Sequence, residues 1–306
     1  MTGLNHSTYR IANLNHSEYR VVHLKHVGRY LAGAITIAVF AAIVIAFARG
    51  QIDWPTVGQY FTAPSILAGF VLTIILTIVA MSIGIALGVL VAVMRLSHNP
   101  VLLGISWLYV WIFRGTPVYL QLLLWFNIAL FVPSIGIPGL FEARTVDLVT
   151  PTVAAIVCLG LNEAAYMSEV VRGGILSVDE GQAEAAKALG IKGTKTMSTI
   201  VLPQAMRVIL PPVGNEVIGV LKTTSLASAI GVSEILNEAQ HVYLVNNMIM
   251  ELLLVAATWY LIAVSVLSVF QYYIERYFAR GSTTAALPLT PIQRARRFFG
   301  IPGGIK

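Results

Sequence analysis

The chain has 306 residues, 57% hydrophobic and 11% charged, with a net charge of +6. Soluble domains carry about 25% charged residues, so this deficit excludes a globule whose surface faces water and points to one whose surface faces lipid. The positive charge does not mark a nucleic-acid binder, because Lys and Arg sit between apolar runs or at the termini and no basic helix is interleaved with aromatics.

Residues 1–29 form a polar, basic tail with a short internal echo: Leu4-Asn5-His6-Ser7-Thr8-Tyr9-Arg10 returns as Leu14-Asn15-His16-Ser17-Glu18-Tyr19-Arg20. A ten-residue period is too short for a solenoid repeat. His6, His16, His23 and His26 lack the Cys or carboxylate partners of a familiar metal site, and no metal is expected. The tail is not a cleavable signal, since the apolar run starts late and Ala46-Phe47-Ala48 before Arg49 is a poor cleavage site.

A first span is expected over Tyr30–Ala48, about 28 Å long as a helix against a hydrocarbon core of about 30 Å. A short link with Asp53, Trp54 and Pro55 leads to a second span within Ser65–Met94. The apolar run Val101–Phe113 is too short to cross, about 20 Å, and is bounded by Arg95 and Arg114, so it reads as an interfacial elbow helix. Thr116-Pro117 reads as an N-cap followed by proline in the first turn of a third span, Pro117–Val132. A Pro/Gly-rich turn at Pro133–Gly139 precedes a fourth span, Thr150–Val171. A polar segment, Arg172–Arg207, leads to a short fifth span over Val208–Leu221, interrupted by Pro211-Pro212 and Gly214. The sixth span is Met248–Tyr273. Cys158, alone within an apolar run, reads as a small packing residue.

Six spans place both termini on one side. With that side cytoplasmic, every Lys and Arg except Arg49, Arg144 and Lys222 falls on an inside segment, as the positive-inside rule requires. The expected fold is therefore an all-α polytopic membrane protein of about six transmembrane helices.

The polar segment carries the sharpest signal. Ser177-Val178-Asp179-Glu180 fits a capping box, Gln182–Leu189 is rich in helix formers, and Gly190 stands where a helix stop needs a left-handed residue. A helix of 11–12 residues is expected there, with Glu184, Ala185 and Ala186 forming one narrow face for close approach of another surface. Thr194 reads as the cap of a second helix that ends or bends at Leu202-Pro203. Gly190-Ile191-Lys192-Gly193-Thr194-Lys195-Thr196 is not a phosphate loop, because Thr194 stands where glycine must precede lysine and no strand comes before it.

Glu184-Ala185-Ala186, Gly190 and Ile200-Val201-Leu202-Pro203 resemble the coupling motif of binding-protein-dependent permeases, the membrane subunits of ATP-binding-cassette importers. Further along the same branch, Arg114-Gly115-Thr116-Pro117, Asn162-Glu163-Ala164-Ala165-Tyr166-Met167-Ser168-Glu169, Arg172-Gly173-Gly174-Ile175, Gly181-Gln182, Pro203-Gln204-Ala205, Pro211-Pro212 with Asn215, and Lys222-Thr223-Thr224-Ser225-Leu226 resemble the polar amino-acid permeases of the histidine, glutamine and glutamate type. The resemblance covers residues 65–275.

It implies a permease fold with one span, Tyr30–Ala48, added before a five-span core. The organisation is then a cytoplasmic tail over 1–29, the added span and external link over 30–64, the permease domain over 65–275 with its coupling loop over 172–207, and a cytoplasmic tail over 276–306. It implies a bacterial inner-membrane location with both termini cytoplasmic. The implied partners are two ATPase subunits, a second permease copy or a sister permease, an extracytoplasmic substrate-binding protein and a polar amino acid. ATP and Mg would sit on the ATPase, and this chain would bind no cofactor. Glu184, Ala185, Ala186, Gly190, Leu202 and Pro203 would carry the coupling. Position 223, acidic or an amide in many relatives, is Thr here.

Charged groups within a bilayer are rare and functional suspects. Asn162, Glu163, Tyr166, Glu169, Asn215, Glu216, Lys222, Thr223 and Ser225 are the candidate substrate path. Asn162, Tyr166 and Glu169 fall within about 60° on a helix and would face the interior. Glu169 has a second reading, as the ion-pair partner of Arg172 at i,i+3. Glu216 likewise has one, satisfying backbone freed at the prolines. An ion-driven transporter would need repeat symmetry, and an intramembrane enzyme would need a nucleophile or metal motif; neither is present.

Overall fold

A computed structural model describes residues 27–50, 52–137 and 141–278. Of the expected tails, residues 1–26, with His6, His16, His23 and His26, and residues 279–306 lie outside the described residues, while 27–29 and 276–278 are helical and extend the first and last spans. The first unit runs to Ile52 and among its described residues holds one helix, α1 (Val27–Arg49), whose side chains from Leu31 to Ala46 are exposed apolar or small groups, as lipid-facing positions require. The second unit begins at Asp53.

In the second unit the link expected at Asp53–Pro55 folds as a helix, α2 (Trp54–Phe61), with Pro55 in its first turn. Asp53 is pinned from two sides: its N–H donates to Glu251 (3.0 Å) and its carboxylate accepts from Thr56 (2.7 Å). α3 (Pro64–Arg95) is the long apolar span expected from Ser65 to Met94. α4 (Pro100–Gly115), N-capped by Asn99, is the elbow.

The third span differs from expectation. Only α5 (Val118–Phe126) and a 3₁₀ turn, Ile128–Leu130, form where Pro117–Val132 was expected, and α5 is bent 104° from α4. Pro117 occupies the N-cap position rather than the first turn, and Thr116 turns its hydroxyl back to the Ile112 carbonyl (2.8 Å) instead of capping. The break is closed by Gln121, whose amide donates to the carbonyls of Phe113 (2.8 Å) and Thr116 (3.1 Å), satisfying groups a helix end leaves orphaned.

Beyond it, β1 (Ser134–Ile137) and β2 (Phe141–Arg144) form an antiparallel hairpin where a plain turn was expected. A single turn, α6 (Thr145–Leu148), leads to α7 (Pro151–Leu176), N-capped by Thr150.

The polar segment folds as α8 (Glu180–Ala188) and α9 (Gly193–Thr196). The cap of α8 is Asp179, accepting from the Gly181 N–H (2.7 Å), and not Ser177, whose hydroxyl still bonds the Gly174 carbonyl at the end of α7 (2.7 Å). The helix is accordingly nine residues long, shorter than expected. Thr194 lies inside α9, with Lys192 at the cap position. An element boundary falls at Leu202-Pro203, where an end or a bend was expected: a π turn, Met197–Val201, gives way there to α10 (Leu202–Thr223). Pro203 has no N–H to offer the Thr199 carbonyl, and the turn before it widens accordingly.

Nor do Pro211 and Pro212 interrupt α10, which runs 22 residues through them. Gln271 donates to the Pro211 carbonyl (3.2 Å) and so holds a neighbouring helix against α10 at this point, while the carbonyls that the two prolines leave without a helical N–H are those of Arg207 and Val208. A 3₁₀ segment, Thr224–Ile230, then α11 (Ile235–Asn246) and α12 (Ile249–Phe278) complete the described chain. α11 was not foreseen.

Among the described residues α3, α7 and α12 are long and apolar enough to cross a bilayer, and α4 with α5 qualify as one broken span. α1 and α10, with 23 and 22 residues, reach about 33 Å or more and are also long enough.

The core is built on α7. α3 lies against it through glycines: a Cβ on Gly88 would stand 2.4 Å from the Met167 Cβ, and one on Gly160 would stand 2.8 Å from Ile83. Such close backbone approach holds membrane helices together where no hydrophobic force acts between them. Leu76, Leu122, Ala155, Cys158, Ala227 and Ile230 form one buried cluster, and Ile66, Ile235, Leu252 and Val255 another. Cys158 is fully buried, as expected of a packing residue.

Candidate functional site

α5, α7 and α10 enclose a cavity of about 150 Å³, lined by Val118, Leu159, Asn162, Glu163, Tyr166, Glu216, Gly219, Val220 and Thr223. Five of the nine candidate path residues thus meet in one place: Asn162, Glu163, Tyr166, Glu216 and Thr223. α7 brings three of them because positions 162, 163 and 166 share a helix face. α10 brings the others at 216 and 223, two turns apart.

The cavity is acidic. Glu163 is buried, and its Oε1 has no hydrogen-bond partner. Glu216 is half-buried and interacts electrostatically with Glu163. No basic side chain lines the cavity. Two acids brought together in a low-dielectric space resist being ionised at the same time, and a cation placed between them would relieve that cost. Asn162 is committed elsewhere, donating to the Phe113 carbonyl (2.9 Å) and to Gln121 Oε1 (3.1 Å), so it ties α7 to the α4–α5 break. Thr223 donates to the Gly219 carbonyl (2.9 Å).

The other four candidates lie outside the cavity. Glu169 is the hub of a cation cluster: Arg95 hydrogen-bonds its Oε1, Arg172 holds Oε2 through two nitrogens (3.1 and 3.0 Å), and Arg114 stands 3.6 Å away. The ion-pair reading of Glu169 with Arg172 is therefore realised, with two further arginines that sequence spacing could not reveal because α3 and α4 supply them. Asn215 is exposed and Lys222 is exposed, while Ser225 donates to the Lys222 carbonyl (2.7 Å). Arg114 also lies over the Tyr166 ring, 5.0 Å from its centroid.

A larger cavity of about 680 Å³, lined by Val89, Met167, Met197, Met206 and Leu210 among others, is almost wholly apolar, with Ser97 its one polar side chain and no charged group to read an amino acid.

The residues expected to carry coupling lie on α8, at its stop and at the start of α10. α8 ends in a Schellman motif: Gly190 has φ +73°, its N–H meets the Lys187 carbonyl (3.0 Å), and the Ile191 N–H meets the Ala186 carbonyl (3.0 Å). Glu184 and Ala185 are exposed, but Ala186 is buried, so the three do not share one open face. Leu202 and Pro203 are exposed at the start of α10.

Residues 84–280 match the family described as "Binding-protein-dependent transport system inner membrane component". Among curated proteins, an arginine transport system permease protein of Corynebacterium glutamicum is 43% identical over 91% of this chain and 89% of its own length. An L-cystine transport system permease protein of Bacillus subtilis is 37% identical over 75% of this chain and 89% of its own. Among solved structures, an amino acid ABC transporter crystallised with histidines is 30% identical with a TM-score of 0.65, covering 74% of this chain and 100% of that one.

Proposed function

The chain belongs to the family of binding-protein-dependent transport system inner membrane components, as a permease subunit of an amino-acid ATP-binding-cassette importer in the bacterial inner membrane, and on that premise we propose that its acidic cavity passes an amino acid with a cationic side chain. The observation that carries the reading is the pair Glu163 and Glu216 in one cavity with no cation lining it and one carboxylate oxygen left unpartnered. A guanidinium or ammonium bridging the pair would relieve their repulsion and satisfy that oxygen. The 43% identical relative, named for arginine transport, supports the same class.

The importer works by alternating access. Two permease chains, of one kind or of two, form the pathway, and a substrate-binding protein delivers the amino acid from outside. Two ATPase subunits, which hold ATP and Mg, close on the cytoplasmic side, where both termini of this chain lie. This chain has no catalytic role. α8, with Glu184 and Ala185 outward, Ala186 buried at its base and Gly190 at its stop, seats in the ATPase cleft, and the exposed Leu202 and Pro203 at the start of α10 belong to the same coupling surface. ATP-driven closure shifts the equilibrium because the two states differ in their contacts with α8.

Uptake of radiolabelled arginine, lysine and glutamine by cells lacking the chromosomal gene and complemented with Glu163→Gln or Glu216→Gln tests the reading. Each substitution is expected to weaken arginine uptake at least tenfold. Unchanged affinity and rate in both would remove the pair from the path.

A further inference from the structure

Arg114 is the loosest member of the cluster around Glu169 and the one nearest the cavity. Arg95 and Arg172 already satisfy both Glu169 oxygens through direct hydrogen bonds. Arg114 makes only the 3.6 Å contact, and its side chain is 42% exposed against 16% for Arg95 and 33% for Arg172. Its guanidinium rests over Tyr166, whose ring lines the cavity, and it interacts electrostatically with Glu216, which lines it too. One partly exposed cation thus stands between a carboxylate whose oxygens are already bonded and the two acids of the cavity.

A site that binds a cation well in a low-dielectric cavity also holds it, and emptying the site leaves two carboxylates bare. A tethered guanidinium solves both difficulties: it has a high effective concentration at the pair and keeps the buried charge compensated as the substrate leaves. We propose that Arg114 is a built-in competitor of the transported cation, moving from its rest on Tyr166 onto the Glu163–Glu216 pair as the cytoplasmic side opens and so releasing the substrate inward. The proposal rests on reading the cavity as a cation site. Arg114 is then a positioning residue for release, not for capture.

The test uses the complete importer in proteoliposomes, with the permease, its ATPase and its binding protein, and L-arginine as the probe. Equilibrium arginine binding and maximal uptake are measured for Arg114→Gln and Arg114→Lys. Arg114→Gln is expected to bind arginine at least fivefold more tightly and to lower maximal uptake at least tenfold, with KM falling. Arg114→Lys, which keeps the charge, is expected to retain at least half of maximal uptake, and it decides the matter alone if Arg114→Gln does not reach the membrane. Unchanged uptake in Arg114→Gln, slow uptake with weaker binding, or Arg114→Lys below a tenth of normal uptake would overturn the proposal. Glu216→Gln and Glu163→Gln separate the two readings. If neither alters arginine affinity, the cation cavity itself is wrong. If both weaken it tenfold while Arg114→Gln releases normally, the competitor alone is wrong.

Discussion

Gly84 of α3 lies directly beneath the Glu163 side chain of α7: a Cβ built on Gly84 would stand 2.6 Å from Glu163 Cγ and 2.8 Å from its Cβ. The carboxylate reaches the cavity because the facing helix presents no side chain there.

Gly84→Ala therefore forces either the Glu163 stem to swing or α3 to part from α7. Overpacking of this kind costs about 1–3 kcal/mol, and here it also misplaces the acid. Arginine uptake is expected to fall about tenfold, with the chain still present in the membrane by immunoblot. Gly33→Ala, at a glycine with open space around it, serves as the control and should leave uptake unchanged.

Glu169→Gln removes the anion from three arginines supplied by α3, α4 and α7. Breaking a buried pair by deleting one partner is far more damaging than never having built it. With Glu169 partly exposed, a loss of about 2 kcal/mol is expected, read as a lowered melting temperature of the detergent-purified protein. Adding Arg172→Gln should recover part of that loss, since fewer uncompensated charges remain. A melting temperature equal to that of the unmodified protein would show the cluster to be ornamental.

The long apolar runs made α3, α7 and α12 legible from sequence, because period and length are local properties. α8 was legible too, through Gly190, yet its start was placed two residues early: Ser177 and Asp179 are both good caps, and the reach of α7 decides between them. What sequence could not show was contact from afar. Pro211 and Pro212 looked like a break because each removes a helical N–H, yet α10 runs through them, and the contact of Gln271, sixty residues on, with the Pro211 carbonyl is invisible to local spacing. Glu163 and Glu216 stood out as charged groups within apolar runs, but that they share one cavity while Glu169 belongs to an arginine cluster depends on how α3, α4, α7 and α10 meet. The hairpin and α11 were missed because their segments carry neither a sustained apolar period nor a span's length.

Gly190→Ala places a Cβ on a residue at φ +73°, which costs about 1–2 kcal/mol, and Gly190→Pro removes the N–H that closes the Schellman turn. Glu184→Lys inverts charge on the exposed side of α8. Both Gly190→Pro and Glu184→Lys are expected to leave membrane insertion intact while ATP hydrolysis by the assembled importer no longer tracks uptake. Gly190→Ala should show a partial form of the same defect. The measurement is phosphate release against arginine accumulation in the same proteoliposomes, and a normal ratio in both strong variants would place coupling elsewhere.

Glu234 shows what a buried acid looks like when its task is structural. It is fully buried, as Glu163 nearly is, but its oxygens are all engaged. One accepts the Asn237 N–H at the start of α11 (2.9 Å), and the other accepts the Tyr260 hydroxyl of α12 (2.7 Å), with Thr73 of α3 at 3.5 Å. The carboxylate thereby ties three helices at one point, whereas Glu163 keeps an oxygen unused. Tyr260→Phe deletes a single donor and leaves the acid underbonded, a loss of about 1–3 kcal/mol. The expected result is a melting temperature lower by several degrees with KM for arginine unchanged. Glu163→Gln should do the reverse, moving KM and sparing the melting temperature. If Tyr260→Phe shifted KM as strongly as Glu163→Gln, hydrogen-bond satisfaction would not distinguish the holding acid from the transporting one, and the case for the cavity would lose its physical basis.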